Sequence, residues 1–282
     1  MYYRMPPPRY NEPALKLHVY DHCPYCIRVE LALGWYHIPY ERIVYGYGNQ
    51  LGDTTKQGCY STGVVLTGKK ELPVLEHLSL TRHTNNTEGT EEAGEVVVRD
   101  WLKAESLDII AWVQRQQGSI EQEAPGERTF RPPSHNPKLT QFFDTQGRFK
   151  IVQRILSRPR YQKMTFLPDW KKAEDRLYAK TKYEKGGFDY AAAAMVDRDS
   201  IEEMNKLLQE FETQFLPVSS DPTTLVSLYP DGRLGYDDLL YLPELRTVTL
   251  VASVVWPARL KEYVLSAHGR ANVETYFHHQ VE

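Results

Sequence analysis

The feature that most restricts the fold lies between Leu15 and Trp35, where the apolar period changes across a pair of cysteines. Leu15, Leu17 and Val19 alternate with Lys16, His18 and Tyr20, the period of two that marks a strand. From Ile27 onward, Val29, Leu31, Ala32 and Trp35 recur at helical spacing. Between the two patterns stands Asp21-His22-Cys23-Pro24-Tyr25-Cys26. Pro24 suits the first helical position, because its missing N–H would have no partner there in any residue. Pro39 stops the helix, and Tyr40 to Tyr45 reads as a second strand. The chain therefore opens β-α-β, with Cys23 at a strand–helix junction.

Two cysteines separated by two residues can close a small disulfide ring, which makes them a natural redox couple. A sulfur at a helix N-terminus meets unpaired N–H groups and the positive end of the helix dipole, and both favour thiolate over thiol. Cys23 is thus the expected nucleophile, with His22 and Arg28 as nearby positive groups. Cys26, one turn further on, is the expected resolving thiol. A structural zinc site would need two more ligands at suitable spacing. His18, His22 and Cys59 are available, but no second paired motif exists, so no metal is expected. Two inert buried thiols would fit better in mid-helix than at this junction.

Further along, Gly46 to Gly63 and residues 79 to 94 read as polar loops, separated by the short apolar run Leu72-Pro73-Val74-Leu75-Glu76. A proline there suggests an edge, a strand start or a special turn. Glu95 to Arg99 is a strand candidate, and Ser106 precedes a helical stripe of Leu107, Ile109, Ile110, Trp112 and Val113. Residues 117–137, with Pro125, Pro132, Pro133 and Pro137, have a linker composition. Beyond them no strand signal survives. Ser200-Ile-Glu-Glu203 is a capping-box pattern opening a stripe of Ile201, Met204, Leu207, Leu208, Phe211 and Phe215. Tyr236 to Val255 is apolar nearly all round, the mark of a buried central helix bent at Pro243. The expected division is a tail at 1–14, an α/β domain at 15–116, the linker at 117–137 and an all-α domain at 138–282.

Composition excludes several classes. A hydrophobic share of 41% and a charged share of 25% are ordinary globular values. The net charge of -3 gives no reason to expect nucleic acid or an anionic membrane as partner. The apolar run from Thr247 to Ala258 spans 12 residues, against the roughly 20 a bilayer-spanning helix needs. Stable membrane insertion is not expected. Three cysteines cannot build a disulfide framework, and the N-terminus lacks the apolar segment of a secretory signal, so a reducing, cytoplasmic setting is expected. His278-His279 read as part of a frayed tail, and the 19 tyrosines as packing at surfaces and contacts.

Tyr20-Asp-His-Cys-Pro-Tyr-Cys26 resembles the active site of dithiol glutaredoxins, for which Cys-Pro-Tyr-Cys is a specific signature. Leu72-Pro73 resembles the cis-proline of thioredoxin-like proteins, and Glu105-Ser106 the acidic-Ser pair that binds the γ-glutamyl end of glutathione. Asp237-Asp238-Leu239, Leu242-Pro243-Glu-Leu245 and Trp256-Pro257-Ala-Arg259 are similar to the C-terminal domain of large two-domain bacterial glutaredoxins of the glutaredoxin-2 type. The likeness runs from about Leu15 to near the C-terminus.

That resemblance implies a fold class: an α/β thioredoxin-like (glutaredoxin) N-terminal domain followed by an all-α glutathione-transferase-like C-terminal domain. It implies a glutathione-dependent thiol–disulfide oxidoreductase with Cys23 and Cys26 as the catalytic pair. Glutathione would serve as co-substrate, bound by Cys23, Tyr25, Leu72, Pro73, Glu105 and Ser106, and a disulfide or glutathionylated thiol would be the substrate. The bland reading of the last pair is an N-cap and a first-turn charge. The long loops and Cys59 depart from the family pattern, and Gly235 stands where related domains carry a Ser or Thr cap. A monomer is expected. Two alternatives share the architecture: a glutathione transferase that conjugates electrophiles, and an intracellular chloride channel-like protein that associates with membranes. Cys at position 23, with Cys26 behind it, argues against the first; the charge balance argues against the second.

Overall fold

The computed structural model describes residues 14–48, 66–67, 71–85, 92–116, 130–218 and 226–282. The first half holds β1 (Ala14–Val19), α1 (Pro24–Trp35), β2 (Glu41–Val44), β3 (Val74–Asn85), β4 (Glu92–Ala104) and α2 (Ser106–Gln116). The sheet order is β2-β1-β3-β4, with β1 parallel to β2 and β3 antiparallel to both of its neighbours. Parallel neighbours need a crossover, and α1 supplies it. The helix runs behind the sheet, where its Ile27, Leu31 and Leu33 share one core with Leu17, Val19 and Leu75 from the strands. Ile109, Ile110 and Val113 of α2 join the same core.

The second half is helical: α3 (Pro137–Phe142), α4 (Arg148–Tyr161), α5 (Ala173–Lys185), α6 (Tyr190–Met195), α7 (Asp197–Phe215), α8 (Tyr236–Val248) and α9 (Ala258–Arg270). Its core is continuous with that of the first half, because α1 packs directly on α8. Trp35 Nε1 donates to the Ala267 carbonyl at 2.8 Å, and Arg246 of α8 reaches back to the Asp21 carbonyl at 2.9 Å. Close approach has its own requirement at Gly34, where an added Cβ would lie 2.2 Å from the Ala271 carbonyl oxygen. Backbone cannot swing aside as a side-chain tip can. Gly34→Ala should therefore lower stability by about 1–3 kcal/mol despite the better helix propensity of alanine, as read by chemical denaturation.

Several expectations change. Residues 79–94 are largely a β-hairpin: β3 continues to Asn85 and β4 starts at Glu92, so the strand expected at 95–99 spans Glu92–Ala104. Their polar composition hid a ribbon whose strands pair with each other beyond the reach of β1. The α7 helix starts at Asp197, so Ser200 lies inside it and the capping box does not form its start. The stripe itself is as expected, with Met204, Leu207, Leu208, Phe211 and Phe215 all buried. The central helix α8 ends at Val248 and turns, instead of running on to Val255. Pro137, placed in the linker, opens α3 behind the Asn136 cap.

The C-terminus does not fray. Val281 N donates to the Leu250 carbonyl at 2.9 Å, Arg160 Nε donates to the Val281 carbonyl, and His279 stacks on Phe166. Gly235 does more than replace a Ser cap. An added Cβ would sit 2.4 Å from the Tyr229 ring and 2.6 Å from Arg131 Cβ, so a larger residue would have to displace both side chains, and Asp238 Oδ2 accepts from Gly235 N at 2.7 Å. The tail before Ala14, most of the Gly46–Gly63 stretch, Cys59 and residues 117–129 lie outside the described residues. None of the described helices is long and apolar enough to cross a membrane.

Candidate active site

The strand–helix junction puts Cys23 at the N-cap of α1, with extended backbone and Pro24 in the first helical turn. Cys23 is partly exposed, whereas Cys26 is fully buried and its Sγ accepts from Tyr20 N at 3.4 Å. This difference in surroundings divides the two thiols chemically. A hydrogen bond from the Cys26 thiol pulls Cys23 down to about 7, against the opposing pull of desolvation, and the His22 charge and the N–H groups of Cys26 and Tyr25 add to it. Burial, reinforced by the neighbouring Cys23, pushes Cys26 well above the usual thiol range. One sulfur is poised as thiolate while the other stays protonated. Replacing Cys26 by Ala should raise the Cys23 midpoint toward the ordinary value of about 8.5. Thiolate absorbance followed against pH would show the titration curve moving by about one unit or more.

The other expected residues surround this centre unequally. Tyr25 is 55% exposed, and the Arg28 guanidinium lies over its ring at 5.2 Å. Arg28 Nη1 also points at Ser106 Oγ at 3.4 Å, so Tyr25, Arg28 and the N-terminus of α2 form one continuous wall. Burial holds Arg28 below its usual range, and its Nε has no hydrogen-bond partner among the described residues. Ser106 is buried as the first residue of α2. Glu105 takes the capping position instead: its carbonyl accepts from Ile109 N, its side chain is exposed and its φ is +67°. A left-handed Glu is unusual, and such conformations gather at binding sites. The Leu72-Pro73 peptide is cis. Leu72 and Cys23 pack against the same two apolar clusters.

The helical half supplies residues that sequence periodicity did not single out. His22 is enclosed by Tyr47 and Trp170, with ring centroids 4.6 and 4.4 Å away, and by Tyr161 at 5.7 Å. Asp169, in the turn between α4 and α5, accepts from His22 N at 2.9 Å and from His22 Nδ1 at 2.5 Å. Lys182 of α5 donates to the Tyr47 hydroxyl at 2.7 Å. Gly48 N donates to Asp175 Oδ1, and Cβ atoms at Gly46 or Gly48 would collide with Asp175, which accounts for the glycines that follow β2. Among the described residues, no group of three or more His, Cys, Asp or Glu side chains could hold a metal ion.

Against known proteins, residues 145–279 match the model of the family described as glutaredoxin 2, C-terminal domain. Glutaredoxin 2 of Escherichia coli (strain K12) is 24% identical over 254 residues, covering 88% of this chain and 92% of that protein. The chain is thus similar to glutaredoxin 2 over most of its length, and residues 145–279 match the C-terminal domain of that family. Among solved structures, glutaredoxin 2 from Salmonella typhimurium, determined in complex with glutathione, superposes with a TM-score of 0.69 at 20% identity. The alignment covers 96% of this chain and all of that one. The fold class of this family, a thioredoxin-like half followed by a glutathione-transferase-like helical half, is the one that the element order describes.

Proposed function

We propose that this chain is a glutathione-dependent thiol–disulfide oxidoreductase. The observation that carries the reading is the unequal placing of two sulfurs, Cys23 partly exposed at the N-cap of α1 and Cys26 fully buried beneath it. The Cys23 thiolate attacks the glutathione sulfur of a mixed disulfide, forming a Cys23–glutathione disulfide and expelling the substrate thiolate, which takes a proton from water. A second glutathione thiolate then attacks the bound glutathione sulfur. Oxidised glutathione leaves and the Cys23 thiolate is regenerated. For protein disulfides, Cys26 gives up its proton and attacks Cys23, closing the ring and releasing the reduced substrate.

Glutathione in this reading lies along Cys23, Tyr25, Leu72, Pro73, Glu105 and Ser106. The buried Arg28 guanidinium beside Ser106 supports an anionic end of the ligand at that point, and the exposed Glu105 carboxylate suits its ammonium. The reading needs no metal. It takes residues 15–116 as the redox domain and 138–282 as the helical one, and it suits a monomer in a reducing, cytoplasmic setting where glutathione returns the pair to its dithiol form. The test is reduction of a small mixed disulfide with glutathione as electron donor. Turnover above the uncatalysed exchange supports the proposal. No turnover, together with conjugation of an electrophile to glutathione, would replace it by the transferase reading.

A further inference from the structure

The turn that carries Cys23 is held from outside its own half of the chain. Asp169 is fully buried, and its Oδ2 takes both the main-chain N–H of His22 and the imidazole Nδ1–H. Its carbonyl also accepts from Tyr47 N at 3.0 Å, so a single residue ties the turn before α1 to the segment after β2. The ring of His22 cannot turn away, because Tyr47 and Trp170 pack on it and Tyr161 closes the side. A carboxylate on Nδ1 also settles which nitrogen carries the proton. Asp169 Oδ1 has no hydrogen-bond partner among the described residues, so among them the carboxylate is committed to His22 alone.

We propose that Asp169 is a positioning residue for the Cys23 nucleophile, acting through His22. The inference deepens the oxidoreductase reading and rests on Cys23 being its nucleophile. By fixing both the amide and the ring of the preceding residue, Asp169 holds the Cys23 sulfur where the N–H groups of Tyr25 and Cys26 reach it and where the His22 imidazole contributes positive potential. The other titratable groups around this pair are Tyr20 and Asp21 before the turn, Tyr25, Cys26 and Arg28 on α1, Tyr47 after β2, Tyr161 at the end of α4, and Tyr178 and Lys182 on α5. Asp21 is already neutralised by Arg42 and Arg246. The thiolate thus depends on an acidic side chain 147 residues away.

The test measures the Cys23 thiolate midpoint by pH-dependent alkylation of the full chain, with the thermal midpoint recorded beside it. Asp169→Ala should raise the thiolate midpoint and slow alkylation at pH 6 by about threefold to tenfold. Asp169→Asn, which keeps a neutral acceptor, should fall between Ala and wild type. His22→Phe, which keeps a ring in the cage but has no Nδ1–H, should shift the midpoint in the same direction. If Asp169→Ala fails to fold, the last two variants carry the test. A folded Asp169→Asn and a folded His22→Phe that melt earlier but titrate as wild type would overturn the proposal and leave Asp169 a structural tie. The midpoint is read without glutathione, so this result and the turnover assay can fail independently.

Discussion

Cys23→Ser should abolish glutathione-dependent reduction of a mixed disulfide, a loss of about a thousandfold or more, while Cys26→Ser should stay within about tenfold of wild type. The asymmetry follows from where each sulfur sits. A serine hydroxyl at position 23 meets the same helix N-terminus but is not ionised near neutrality, so no nucleophile remains. At position 26 a hydroxyl still donates toward Cys23, and glutathione itself completes the cycle. With a protein disulfide as substrate the order changes: Cys26→Ser should lose most activity, because ring closure on Cys23 is then the releasing step. Equal losses in both variants on the small substrate would contradict the assignment of nucleophile and resolving thiol.

Arg246→Ala should cost about 3–5 kcal/mol of stability, read as the shift in a urea unfolding curve at constant slope. Arg246 is buried in α8, where Nη1 donates to the Asp21 carbonyl and Nη2 faces its carboxylate, while Nε donates to the Glu274 carbonyl at 2.6 Å. The guanidinium carbon lies over the Tyr276 ring, 4.0 Å from its centroid. Removing the side chain leaves Asp21 buried with Arg42 as its remaining cation. Burial pushes the Asp21 carboxyl up, but Arg246 and Arg42 outweigh it and hold the group below its ordinary range. A depressed folded value adds stability above the unfolded carboxylate pKa of about 3.9 and loses it as pH falls through the folded value. The gap between wild type and Arg246→Ala should therefore be widest near neutral pH and narrow below about pH 4.

The charged residues on α8 show what a sequence can and cannot disclose. Its apolar content announced a buried helix, and Asp237, Asp238 and Arg246 are buried with the rest. Asp238 is held from nearby, by Gly235 N and Leu228 N, but Asp237 meets Ser134 N across 103 positions and Arg246 meets Asp21 across 225, and no periodicity reports such pairing. The β-α-β opening was legible because period two, a proline at the first helical position and a change to period 3.6 are local signals. The Cys-Pro-Tyr-Cys junction was legible for the same reason. Asp169 was not: it sits in an irregular turn, and nothing in Phe166-Leu-Pro-Asp-Trp170 marks it as a partner of His22. The sequence marks a strand at 95–99 within β4 but hides the rest of the ribbon in residues 79–94, whose polar alternation carries little weight against the loop reading.

The ties on the Cys23 turn also set an order of events during synthesis. Asp169 closes on His22 across 147 positions, Arg246 on Asp21 across 225, and Tyr276 on the same carbonyl across 255. The dithiol leaves the ribosome long before any of these partners is joined to the chain, since the N-terminal end is made first. A nascent first half can pair its strands and set Arg42 on Asp21, but its cysteine turn lacks the Asp169 clamp and the Arg246 tie. The finished geometry of the sulfur therefore waits for residues deep in the helical half, Tyr276 among them, and the reactivity of Cys23 becomes a report that this half has been made and docked.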